Sequence, residues 1–268
     1  MSKPKPAPTS IQTNELKTRI IVGVLLIAAA VVAEYFGGVL LWLLVVLMSL
    51  GIISEWANLT GRQENRKLAM YALSVPLAIM SPWAAGPSFL ALGLILGAAM
   101  FVATFDRSVK LAAGIFYAGL PALAIVYLRE TDNGILIVFW TLALVWATDI
   151  GAYFSGRAIG GPKLAPRYSP NKTWAGLIGG VVLTGAISYY LHAYWGLPFY
   201  FVLLSIPLAV LAQMGDLFES WLKRKAGAKD SGTIFPGHGG VMDRLDGLIP
   251  VAPVVAALML YENFQAAV

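Results

Sequence analysis

The sequence predicts an all-α, polytopic integral membrane protein of about nine transmembrane helices, with the N-terminus inside and the C-terminus outside. Three observations lead there. Apolar residues make up 58% of the 268-residue chain and charged residues only 12%, with a mean hydropathy of +0.73. Average globular chains carry about a quarter charged residues. The apolar residues come in long runs rather than in alternation, as helices surrounded by lipid require. Every Lys and Arg except Arg129 falls in alternate segments between those runs, the asymmetry of a positively charged cytoplasmic side. The net charge of +5 is therefore a topology signal and not a nucleic-acid surface. The chain has no cysteine, which excludes disulfide, zinc–thiolate and thiol chemistry.

Residues 1–18 are rich in Lys, Pro and Thr, lack hydrophobic periodicity and read as a disordered cytoplasmic tail. The run 20–32 follows Lys17 and Arg19 as in a signal peptide, but Glu34-Tyr35-Phe36 is a poor cleavage site and more runs follow. It is read as an uncleaved first helix. Runs at 39–53, 68–80, 89–105, 111–128, 135–148, 177–194, 199–213 and 248–261 supply the others. Several fall short of the roughly 20 residues of a full crossing. The region 19–110 holds little besides apolar bulk, with Glu55-Trp56 at a cytoplasmic end, and reads as scaffold, lipid-facing wall or oligomer contact. Region 111–268 is where chemistry is expected, because two long polar segments, 149–174 and 216–246, interrupt it as cytoplasmic loops. The outer loops are short and nearly uncharged.

The longest polar stretch, SWLKRKAGAKDSGTIFPGHGGVMDRLD, runs from Ser220 to Asp246. Lys223, Arg224, Lys225 and Lys229 can neutralise phosphate oxygens, and glycines at 237, 239 and 240 let backbone N–H groups approach an anion. Asp243 and Asp246 flank Arg244 and offer the hard oxygens that Mg²⁺ takes alongside substrate phosphates. Asp216 belongs with them, since Asp216, Glu219, Ser220 and Lys223 share one helical face. Cation, glycine turn and acid pair together suggest a nucleoside-triphosphate or pyrophosphate site. A basic loop that only marks topology, or acids that only favour a helix N-terminus, would each explain a part of this segment.

A second constellation begins at Asp149, an ionisable residue at the end of an apolar run and hence a functional candidate. Downstream, Ser169, Lys172 and Thr173 bring two hydroxyls and a cation to the start of the next helix, where a phosphate could sit. An interfacial Asp and an ordinary helix cap are the plainer readings of the same residues.

Both segments resemble the phosphatidate cytidylyltransferase (CDP-diacylglycerol synthase) family. Ser220, Lys223-Arg224, Lys229-Asp230, His238-Gly239-Gly240 and Asp243-Arg244-Leu245-Asp246 stand at that family's signature spacing. Asp149, Ala152, Tyr153, Ser169, Pro170, Lys172 and Thr173 match its second motif. Ala175 departs from it, standing where many relatives place a Glu, so no role of that Glu carries over. Before about residue 110 the resemblance is mostly hydropathy.

The resemblance implies transfer of CMP from CTP to phosphatidic acid, releasing pyrophosphate. It also implies an inner-membrane enzyme with a cytoplasmic active site, membrane lipid around it, no nucleic-acid partner and a homodimeric state. The expected catalytic residues are Asp216, Asp243, Asp246, Lys223 and Arg244. Ser169, Lys172, Thr173, Ser220, Arg224, Lys229, His238, Gly239 and Gly240 are expected to bind substrate. Asp149, Asp216, Asp243 and Asp246 are expected to hold Mg²⁺, with room for a second cation.

Two other functions fit parts of the sequence. A CTP-dependent lipid kinase would pass the γ-phosphoryl group to an alcohol. A transporter would carry charges deep in several spans. This chain gathers its charges at one face, which favours an enzyme.

Overall fold

The computed structural model describes residues 10–235 and 239–267. Each of the nine apolar runs forms a helix: α1 (Ser10–Phe36), α2 (Gly38–Leu59), α3 (Arg66–Ile79), α4 (Phe89–Asp106), α5 (Val109–Glu130), α6 (Gly134–Ile159), α7 (Trp174–Trp195), α8 (Phe199–Lys225) and α10 (Leu248–Ala267). A single-turn helix, α9 (Met242–Leu245), precedes the last. Seven of them, α2, α4, α5, α6, α7, α8 and α10, are long and apolar enough to cross a membrane. The apolar part of α1, Ile21–Phe36, is shorter. The 14 residues of α3 rise only about 21 Å, against a hydrocarbon core of about 30 Å.

Two differences from the sequence reading matter for the site. The expected spans ended at residues 148 and 213, but α6 and α8 run on by further turns to Ile159 and Lys225. Asp149 thus stands within α6, and the expected helical face of Asp216, Glu219, Ser220 and Lys223 lies on α8 itself, beyond the end of the apolar run. The 149–174 segment also contains a two-stranded antiparallel hairpin, β1 (Lys163–Ala165) and β2 (Ser169–Thr173), with Lys163 opposite Thr173. Its alternation is too short to register beside the apolar runs.

Two apolar cores hold the bundle. One joins α2, α3, α4 and α5 around Ile53, Leu73, Ile95 and Ile115, and the end of α8 and residues Val241 and Met242 pack against it. The other joins α5, α6, α8 and α10 around Leu128, Trp140, Phe201 and Val255. In lipid, burial of apolar surface does not drive helices together, so close backbone packing and internal hydrogen bonds do that work. α6 and α7 meet backbone to backbone. A Cβ on Gly151 would stand 2.5 Å from the Gly179 carbonyl oxygen, and one on Gly180 would stand 2.8 Å from that of Thr148. Thr148 and Thr184 hydroxyls lie 2.9 Å apart beside this crossing, and Trp140 Nε1 donates to Ser188 Oγ at 2.9 Å. Thr173 ends the hairpin and caps α7, accepting from the Gly176 N–H at 3.0 Å.

Candidate active site

The extension of α8 is the spine of the site. Its i, i+3, i+4, i+7 spacing places Asp216, Glu219, Ser220 and Lys223 on one face, as the sequence requires. Ser220 Oγ donates to Asp216 Oδ1 at 3.3 Å, and Lys223 Nζ lies 3.2 Å from Glu219. Lys223 then reaches forward to Asp243 Oδ1 at 2.6 Å. The other oxygen of Asp243 accepts from Ser231 N, Ser231 Oγ and Gly240 N, each at 2.8 Å. Gly239 sits at φ +81°, and a Cβ there would meet Asp243 Oδ2 at 2.6 Å, so the chain can fold over this carboxylate only as glycine.

Behind this pair lies a second network. Lys172, from β2, pairs with Asp216 at 2.5 Å and donates to Gln213 Oε1 at 3.0 Å. Gln213 Nε2 in turn donates to Asp149 Oδ1 at 3.2 Å. The buried glutamine therefore ties the hairpin to both α6 and α8. Asp246 follows α9, accepts from the Gly247 N–H at 2.8 Å and approaches α8 at Gly215, where a Cβ would stand 2.3 Å from the Asp246 carbonyl oxygen.

Asp243 and Asp246 differ in electrostatics. Burial opposes ionisation of Asp243, but the Lys223 ammonium, the Gly240 and Ser231 N–H groups and the Ser231 hydroxyl outweigh it and hold the carboxyl down to about 2. Burial pushes Asp246 up to about 7, and the charges of Asp216 and Asp149 push in the same direction.

The two networks border one cavity of about 700 Å³. Asp149, Asp216, Lys223, Asp243, Arg244 and Asp246 line its polar part, joined by Asp230. Leu26 and Ile27 of α1, Leu44 and Met48 of α2, Ile125 of α5 and Leu142 of α6 line the rest. One chamber thus offers ionic groups to a phosphate and a hydrocarbon wall to a chain.

Among the described residues no three acid or histidine side chains stand close enough to hold a metal ion by themselves. Mg²⁺ normally takes one or two carboxylates and completes its shell with water and substrate phosphates, so this does not exclude it. The crowding of Asp149, Asp216 and Asp246, which disfavours the charged form of Asp246, suits a cation delivered with a polyanion. Asp243 differs from the other three, because its oxygens already face Lys223 and three further donors.

The remaining expected site residues are distributed as follows. Thr173 is buried at the α7 cap, and Ser169 starts β2. Arg224 turns away from the cavity and shares a smaller pocket of about 360 Å³ with Arg167, Tyr168, Trp221 and Lys225. Lys229 is exposed, and His238 lies outside the described residues. Two residues that the sequence reading passed over belong here: Gln213, and Glu55 of α2, whose carboxylate accepts from Ser231 Oγ, Val241 N and Met242 N. Each is a lone polar group in an apolar run, which was the available signal.

Residues 17–262 match the cytidylyltransferase family. A phosphatidate cytidylyltransferase of Brucella suis biovar 1 (strain 1330) is 42% identical over 260 residues, covering 92% of this chain and 93% of its own. One from Rickettsia prowazekii (strain Madrid E) is 32% identical over 252 residues, 91% of each chain. One from Rickettsia felis (strain ATCC VR-1525 / URRWXCal2) is 31% identical over 246 residues, 88% of this chain and 89% of its own.

Proposed function

The chain belongs to the cytidylyltransferase family, and on that footing we propose that it transfers CMP from CTP to phosphatidic acid, giving CDP-diacylglycerol and pyrophosphate. The observation that carries this reading is the shared cavity, ionic at one part and hydrocarbon-lined in the other. A lipid phosphate with its acyl chains and a nucleotide with its phosphates need such a chamber together.

In the reaction an oxygen of the lipid phosphate attacks the α-phosphorus of CTP. A new P–O bond forms, the bond from the α-phosphorus to the bridging oxygen breaks, and pyrophosphate leaves with that electron pair. The lipid phosphate is already ionised, so no side-chain nucleophile is needed. The difficulty is bringing two polyanions together and stabilising the leaving group. Lys223 and Arg244 face the cavity, and Lys172 stands beside Asp216. These cations hold phosphate oxygens, and Asp243 fixes the direction of Lys223. Asp149, Asp216 and Asp246 would hold Mg²⁺, with room for a second cation, and the metal would supply charge neutralisation at the transferring phosphates. Gln213 keeps Asp149 and Lys172 in register.

The membrane placement belongs to the same reading. The chain lies in the inner membrane with its N-terminus and active site on the cytoplasmic side, crosses nine times, with α1 and α3 as its shorter crossings, and pairs as a homodimer. The Lys and Arg asymmetry supports the orientation, and family resemblance supports the dimer.

The test is a product assay in detergent–lipid micelles with CTP labelled at the α-phosphorus, phosphatidic acid and Mg²⁺. Label should pass into the lipid phase as pyrophosphate appears, and Asp246→Asn should abolish this. Label remaining in soluble CDP while an added lipid alcohol gains phosphate would replace the reading with a lipid kinase. No turnover of CTP by folded protein with any lipid would point to a transporter.

A further inference from the structure

We propose that Glu55, on α2, is a positioning residue of the transfer site: it holds the chain segment at Ser231 and Gly240–Met242 so that the Lys223–Asp243 pair and Asp246 face the cavity. What the site does rests on the cytidylyltransferase reading; what Glu55 holds rests on geometry alone. Its side chain is buried, with 2% of the residue exposed. Oε1 accepts from Val241 N at 2.8 Å, and Oε2 accepts from Met242 N at 2.9 Å and lies 2.8 Å from Ser231 Oγ.

The same Ser231 hydroxyl lies 2.8 Å from Asp243 Oδ2. A hydroxyl carries one proton, so Ser231 serves the two carboxylates in turn and ties α2 to the Lys223 partner through a single atom. Glu55 thus grips the segment from one side and Asp243 from the other. The close fit excludes side chains between them: a Cβ at Gly232 would stand 2.5 Å from Glu55 Oε1, and one at Gly240 only 2.4 Å.

This grip is separable from the fold. α2 is fastened to its neighbours without Glu55, because Ser49 Oγ donates to the Ala118 carbonyl at 3.0 Å and Trp56 Nε1 to that of Lys110 at 2.8 Å. The side chains of Val241 and Met242 are buried in the first core and keep the segment docked. Loss of the carboxylate leaves two buried N–H groups without an acceptor and frees the segment to shift in place. One to two turns earlier, Ile52 and Ser49 line the cavity, so the helix that walls the chamber also sets the reactive segment.

The test compares wild type, Glu55→Gln and Glu55→Asp in the labelled-CTP assay and by amide hydrogen exchange. Gln matches the shape of Glu but turns an NH₂ donor toward backbone donors. Asp keeps the acceptor at shorter reach. We expect Glu55→Gln to lower kcat about 10- to 100-fold, the range for outer residues that orient a site. The KM for phosphatidic acid should stay within about twofold, and Glu55→Asp should recover part of the lost rate. In wild type the Val241 and Met242 amides should exchange far more slowly than those of the exposed 226–229 turn, and Glu55→Gln should erase that protection.

A folded Glu55→Gln protein with kcat within about twofold of wild type would overturn the proposal. So would wild-type amides at 241 and 242 that exchange as fast as the turn. If Glu55→Gln does not fold, the wild-type exchange pattern decides. If wild type shows no turnover, the cytidylyltransferase reading fails, and the exchange comparison still decides whether Glu55 holds the segment.

Discussion

Asp243 and Asp246 are three residues apart and meet opposite surroundings. Asp243, held near 2, is an anion locked to Lys223 and to three N–H or O–H donors. Asp243→Asn replaces an acceptor with a donor facing Lys223 and leaves that lysine against Glu219 alone. We expect kcat to fall about 100- to 1000-fold, on the scale of losing one preorganised electrostatic contact, with single-turnover transfer as the measurement. Asp246, raised to about 7 by burial and by the charges of Asp216 and Asp149, has the reverse linkage. Its folded-state pKa lies above the unfolded value, so the folded form holds the extra proton between about 4 and 7. Its stabilising contribution is complete below pH 4 and lost as pH rises through 7. Thermal unfolding in detergent should show the metal-free protein losing stability from pH 5.5 to 8. Mg²⁺ with CTP should narrow that loss, and Asp246→Asn should remove this component. Gln213→Leu cuts the link from Lys172 to Asp149. It should lower kcat about 10- to 100-fold with little change in melting temperature.

At the scale of elements, the crossing of α6 and α7 fixes Asp149 relative to the hairpin that carries Lys172. Gly180→Leu would drive a side chain into the Thr148 carbonyl, 2.8 Å from where its Cβ must go. We expect a loss of about 1–3 kcal/mol from overpacking, read by denaturation in detergent, together with loss of activity as Lys172 moves from Asp216. Most of the helices were legible because apolar runs in lipid allow few other structures. The runs could not show where α6 and α8 end, since helices that leave the membrane carry on with polar residues and the hydropathy signal stops first. The hairpin at 163–173 gave no signal for a similar reason: its strands are short and pair with each other alone. In the site, the spacing of Asp216, Glu219, Ser220 and Lys223 could be read because one helix holds them all. Glu55 and Gln213 act on residues tens to hundreds of positions away, Glu55 on Val241 and Gln213 on Asp149. Pairings across that distance leave no local pattern, so α2 read as mere scaffold.

For the whole molecule, the cavity predicts how the two substrates separate in a mutational test. Its apolar wall comes largely from α1, α2, α5 and α6. Met48→Trp should fill part of that wall and raise the KM for phosphatidic acid several-fold, while the KM for CTP stays within about twofold; steady-state kinetics with each substrate varied in turn would show it. Lys223→Met should do the opposite, with the larger effect on CTP. Ordering a site on ligand binding costs free energy for every rotamer-rich side chain that must be immobilised, about 0.5–1.5 kcal/mol each. Where α6 and α7 touch at Gly151, Gly179 and Gly180, the contact is made largely by backbone, with few rotamers to lose. That part of the frame is already as ordered before the substrates arrive as after, so the entropy lost on binding falls on the lipid and the nucleotide.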